Sequence, residues 1–199
     1  MWGINGKRIA AILLLCLLLC GMLFFIGCSR KKEPDCMVSF ILTGDYPEEF
    51  TETIYEHLEQ YAVDVTGDGE VKLQFAKYWP GDPTRMFSEF TYADSMIFIT
   101  DAAPLEEINE NFVGFFMPLT ESGETGLPWD EVPGLASLDW SAHPINVQGM
   151  EIKTEQLKAW SSRLQICCRS IEGTRFETDK QKAAEHACAA ALLDNLKKE

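Results

Sequence analysis

Between Met37 and Lys77 the chain reads MVSFILTGDYPEEFTETIYEHLEQYAVDVTGDGEVKLQFAK. Met37 to Leu42 is an apolar run of strand length, broken only by Ser39. Thr43, Gly44 and Asp45 then turn the chain. Asp45 and Glu48 have capping-box spacing, with Pro47 suited to a first helical turn. Phe50, Ile54, Leu58 and Tyr61 follow at helical spacing, while Glu48, Glu49, Glu52, Glu56 and Glu59 lie off that stripe. The pattern predicts a helix over 47–63. Asp64 to Gly69 ends it, and the alternation of Val71, Leu73 and Phe75 with Lys72 and Gln74 predicts a strand over 70–77. A strand, a helix and a second strand in this order favour parallel, right-handed pairing.

Further along, Thr84 to Tyr92 and Pro104 to Asn111 read as short helices. Met96 to Ile99 is apolar on both alternating faces, as in the central strand of a covered sheet. From Pro118 to Gly149, prolines and glycines recur too often for long elements. Trp129 and Trp140 lie in that span and argue for burial there rather than disorder. A short helix over 154–160 and a strand over 164–168 follow. Thr178 or Asp179 then caps a helix running to Leu196, with Ala184, Ala187, Cys188, Ala191, Leu192 and Asn195 as the expected stripe. The expected fold class is α/β: a small, mainly parallel or mixed sheet of about four to five strands flanked by helices, with a long C-terminal helix.

The start of the chain decides placement. Lys7 and Arg8 precede an apolar run from Ile9 to Ile26, closed by Gly27 and Cys28. A positive n-region, an apolar h-region and a small residue before the break make a secretory signal. With the cysteine after the glycine, it resembles a bacterial lipoprotein signal, although Phe25 stands where such signals usually carry Leu. The resemblance implies cleavage before Cys28 and lipidation of Cys28 by diacylglycerol and an N-acyl group such as palmitate. The alternative is an uncleaved transmembrane anchor, since Ile9–Ile26 sits near the lower limit of about 17–25 residues for a spanning helix. Either way the remaining chain is expected on the extracytoplasmic face of the cell membrane. The resulting organisation is a signal peptide over 1–27, a lipidated cysteine and tether over 28–36, and a single α/β domain over 37–199.

Composition narrows the function classes. The formal net charge is −14, and the signal carries off Lys7 and Arg8 without any acid. Such a balance excludes nucleic acid as a natural partner and opposes adsorption to anionic headgroups. It also serves plain solubility. Of seven cysteines, Cys16 and Cys20 leave with the signal. Cys36, Cys167, Cys168 and Cys188 remain in the domain, read as buried thiols, with one bridge from Cys36 to a C-terminal cysteine as the alternative.

Three groups of residues are candidates for a site. Asp45 follows the first strand, Asp101 follows the most apolar one, and Trp79 follows the second. In open parallel sheets ligands lie outside the carboxyl ends of strands. Capping and turn formation are the competing roles for both acids. Asp64, Thr66, Asp68 and Glu70 resemble the first half of an EF-hand-type loop, which implies calcium. The twelfth position is Phe75, where that family carries glutamate, so a glycine turn is the competing reading. His57, His143 and His186 sit in no catalytic motif, and His57 is expected on a solvated helix face.

Strand 37–42, helix 47–63, strand 70–77 and the segment Ile97 to Asp101, with Pro118 and Leu119 beyond, also resemble the first lobe of an extracellular solute-binding lipoprotein. The resemblance implies a ligand crevice. The chain has the length of one lobe, where that family hinges two about the solute, which shifts weight to a partner-binding or accessory role. The expected function is therefore a non-enzymatic, lipid-anchored protein binding an envelope protein or a small ligand. A membrane-tethered hydrolase and a calcium-dependent binding module are the alternatives.

Overall fold

The computed structural model describes residues 34–65, 67, 69–78, 94–101 and 114–198. The chain divides into two units, 1–33 and 34–199, and every described residue belongs to the second. The expected signal, Cys28, Thr66, Asp68, Trp79 and the two short helices over 84–92 and 104–111 lie outside the described residues.

The fold is α/β, as the strand and helix patterns require. β1 (Cys36–Ile41) pairs in parallel with β2 (Leu73–Tyr78) on one side and β3 (Ile97–Asp101) on the other. Val38 lies opposite both Phe75 and Ile97. β4 (Gly126–Pro128) and β7 (Leu164–Cys168) complete a mixed sheet of order β2-β1-β3-β7-β4, with β7 antiparallel to both its neighbours. All five residues of β3 are buried, as a run apolar on both faces demands. A separate hairpin of β5 (Asn146–Val147) and β6 (Met150–Glu151) turns at Gln148 and Gly149. Both turn residues have positive φ, 51° and 81°, the conformation two-residue hairpins favour.

Among the described residues, four helices accompany the sheet. α1 (Glu48–Glu59) is shorter at both ends than its apolar stripe suggests. Pro47 occupies its N-cap position and offers no side-chain acceptor, so Asp45 and Glu48 form no capping box. At the other end Gln60 and Tyr61 bond three residues back, to His57 and Leu58, which tightens and stops the helix. β2 begins three residues later than the alternation predicts. Its pairing is taken over at Lys72 by the Asp35 carboxylate, which accepts the Lys72 amide at 2.9 Å. α2 (Pro133–Ala136) and a 3-10 turn (Trp129–Glu131) lie in the proline-rich span. Trp129 and Trp140 are both buried there, in line with the expectation that this span is packed.

α3 (Thr154–Ser161) and α4 (Lys180–Lys198) close the fold. Asp179 caps α4, its Oδ1 accepting the Gln181 and Lys182 amides at 2.9 and 3.2 Å. The buried stripe of α4 is Glu185, Cys188, Ala189, Leu192, Leu193 and Leu196. Ala184 and Ala187 are exposed instead. A leucine withdraws far more apolar surface from water than an alanine, so the leucines set the rotation of the helix. α2 meets α4 so closely that a Cβ at Gly134 would lie 2.9 Å from the Leu196 backbone.

Val38, Phe40, Ile97, Ile99, Leu164 and Ile166 form the floor of one apolar cluster with the inner faces of α1 and α4. Phe50 is the centre of its aromatic part. It stacks on Trp140 at 4.9 Å between ring centroids and meets Trp160 edge-on at 5.5 Å. The opposite sheet face carries Phe98, whose ring lies 5.2 Å beneath the Arg169 guanidinium. No described helix is long and apolar enough to cross a membrane.

Candidate functional site

Strand order places the site. β1 has β2 on one side and β3 on the other, so the chain reverses its direction of travel across the sheet at β1. In open sheets such a switch point leaves a crevice outside the carboxyl ends of the two strands. β7 runs the other way, which brings its amino end to the same edge. A cleft of about 450 Å³ lies there, lined among others by Thr43, Tyr46, Asp101, Arg163 and Gln165.

Asp101 ends β3, paired in register with Leu164 at the start of β7. Its side chain reaches across to the turn after β1. Oδ2 accepts the Thr43 amide at 2.9 Å and also the Thr43 hydroxyl. The turn-forming role expected of this residue is thus taken by one oxygen. The other oxygen, Oδ1, is buried and has no hydrogen-bond partner among the described residues. Leaving a buried acceptor unpaired costs about 1–3 kcal/mol, more when the group is charged.

Tyr46 packs behind this carboxylate, stacked on Phe50 at 5.4 Å between ring centroids. Burial raises its phenol above the usual range; the negative Asp101 adds to the shift and the Arg163 guanidinium opposes it. Arg163 is exposed, at the junction of α3 and β7. The cleft therefore offers an acceptor on its inner side and a cation on its rim. Such a pair suits a ligand with an N–H or O–H donor at one end and an anionic group at the other. Because Oδ1 is covered, a donor reaches it only through a local opening of the segments around it.

Sequence reasoning placed Asp101 at this edge, and Asp101 lines the cleft. Asp45 is exposed and does not line it. Thr43, Tyr46, Arg163 and Gln165 were missed. Thr43 and Tyr46 follow β1 and shared the strand-end signal that pointed to Asp45, whereas Arg163 and Gln165 depend on the direction of β7, which the pattern of Leu164 to Cys168 does not encode.

The loop after α1 uses its acid differently. Asp64 Oδ1 accepts the Gly67 amide at 2.6 Å and Oδ2 the Gly69 amide at 2.8 Å. Gly67 and Gly69 have φ of 71° and 82°, as a glycine turn requires. Glu70 pairs with Lys72 at 2.6 Å on the surface. Among the described residues, no three His, Cys, Asp or Glu side chains are grouped so as to hold a metal ion.

His57 departs from expectation. It is buried, not solvated, and its Nε2–H donates to the Gly134 carbonyl at 2.6 Å. That bond joins α1 to α2. His57, His143 and Asp139 line a second cleft, of about 570 Å³, together with Ser137. Ser137 donates its hydroxyl to the same Gly134 carbonyl at 2.8 Å. With His57 Nε2 and the Ser137 hydroxyl both donating to one carbonyl, the pair is not arranged as base and nucleophile. Asp139 is held below the usual carboxylate range by the Ser141 hydroxyl and amide.

No family model, curated protein or solved structure matches the chain.

Proposed function

We propose that the protein is a non-enzymatic binding protein, lipid-anchored through Cys28 on the extracytoplasmic face of the cell membrane. It takes a small ligand, or a polar segment of an envelope protein, in the cleft at the carboxyl ends of β1 and β3. The observation that carries the binding role is the buried, unpaired Oδ1 of Asp101 beside that cleft. A donor from a ligand would relieve it, and Arg163 on the rim would hold an anionic group. Support for the anchor comes from the sequence alone, in the ending Phe25, Ile26, Gly27 and Cys28. The acidic balance of the chain agrees with a domain held off an anionic bilayer.

A melting-temperature series tests the binding role. The purified domain is heated alone and with saturating amino acids, dipeptides, polyamines, dicarboxylates and monosaccharides. A ligand of the native state at one hundred times its Kd stabilises by about 2.7 kcal/mol. The expected result is a rise with one class carrying both an ammonium and a carboxylate, lost in Asp101→Asn and reduced in Arg163→Ala. A rise that both variants retain in full would place binding elsewhere.

A further inference from the structure

Cys36 opens β1 and Cys188 lies in the middle of α4. Both are completely buried, in the same apolar cluster, where α4 packs on β1. The Cys188 thiol is 3.3 Å from the Val63 carbonyl and the Cys36 sulfur is 3.7 Å from the Met37 carbonyl. The Cys188 thiol and burial together push the Cys36 thiol well above its ordinary range. Cys168 lies on the same side of the sheet as Cys36, within the same cluster. Cys167, the next residue of β7, alternates to the opposite face. All four are free thiols in this structure. Ile97 stands between Val38 and Cys168 in the sheet, so Cys168 is two strands away from β1, which leaves Cys188, on the helix packed against β1, as the neighbour of Cys36.

We propose that Cys36 and Cys188 are joined by a disulfide in the mature, exported protein. The inference rests on the extracytoplasmic placement, because an exported chain meets an oxidising compartment. The oxidant is a protein disulfide of the thiol-oxidoreductase class. A thiolate of one cysteine attacks that disulfide, forming a mixed disulfide and releasing one oxidant thiolate. The second cysteine attacks the mixed disulfide, forming the Cys36–Cys188 bond. The oxidant leaves as a dithiol holding the two electrons and the two protons that the cysteines gave up. Exchange precedes the docking of α4, since both sulfurs are covered afterwards.

The placement of the bond has a mechanical consequence. Cys36 follows the lipidated Cys28 by eight residues. A bond at Cys36 would fasten the end of the tether to the C-terminal helix, and it would close nearly the whole domain into one loop. In the chain-entropy account, stabilisation grows with the length of the loop closed.

The test uses the full-length protein purified from membranes in detergent, denatured and alkylated with iodoacetamide before and after reduction. Peptide masses are expected to show Cys167 and Cys168 alkylated at once, and Cys36 and Cys188 only after reduction. Cys36→Ser should free Cys188 for alkylation without reduction. Reduction should lower the melting temperature of the wild type and leave that of Cys36→Ser unchanged. Immediate alkylation of all four, or a bridge through Cys167 or Cys168, would overturn the inference. An acylated, surface-exposed protein with four free thiols would overturn the disulfide alone and leave the anchor standing.

Discussion

The helix-covered face of the sheet and the cleft at its carboxyl end treat a buried acid in opposite ways. Beneath α1 and α4 the side chains interlock, and the adjoining buried carboxylate, Asp35, is committed to the backbone of Lys72. At the cleft, Asp101 is as well positioned, yet among the described residues one of its oxygens is bound and the other is not. Both acids sit at strand ends and both hold a neighbouring segment in register. The difference separates an acid whose role is structural from one to which the proposed binding role is assigned. A satisfied acid is explained by stability alone, whereas an unsatisfied one at a switch point needs a further donor to account for it.

The contrast can be broken at four places. Phe50→Ala should have the largest effect on the packed side, because it empties the space between Trp140, Trp160 and Tyr46. A loss of about 3–5 kcal/mol is expected in urea denaturation. Asp35→Ala removes the buried carboxylate that accepts the Lys72 amide. Its expected cost is about 1–3 kcal/mol by the same measurement. Asp101→Asn should cost less than about 1 kcal/mol, since an asparagine oxygen still accepts from Thr43. Its loss should appear instead in the response to solutes. Equal destabilisation by the Asp35 and Asp101 variants, with no change in solute response, would erase the distinction.

The smallest effect concerns pH. Burial pushes the His186 imidazole below its ordinary range, and a hydrogen bond to the Arg169 backbone partly offsets this. The unfolded chain then binds more protons than the native one as pH falls past about 6.5. Stability linked to His186 is complete above that pH and is lost on acidification through the lower native value. Wild type should weaken between pH 7.5 and 5.5 in urea melts, and His186→Gln should weaken less. An unchanged slope would show that His186 does not contribute.

Much of the fold was legible because it depends on local periodicity. The strand, helix and strand expected over 37–77 appear in that order with shifted ends, and the strand over 164–168 appears where its apolar pattern put it. The helix that begins after Asp179 starts where its cap was read, but its stripe was not, since alanine alone does not decide which face turns inward. The burial of His57 was hidden for a related reason. It depends on Gly134, distant in sequence, whose lack of a side chain lets α2 approach α4. At the cleft Asp101 was read because it ends a strand. Arg163 joins it through the antiparallel direction of β7, which is a property of the assembled sheet.

The central claim is that this domain works outside the cell on a lipid tether at Cys28, and metabolic labelling tests it most directly. Cells expressing the full chain are fed an alkynyl palmitate analogue, and the protein is captured from membranes after treatment of intact cells or spheroplasts with protease. The expected result is a labelled wild-type protein that external protease digests, and an unlabelled Cys28→Ala variant. An unlabelled wild type, equal labelling of Cys28→Ala, or a labelled protein fully protected from external protease would contradict it.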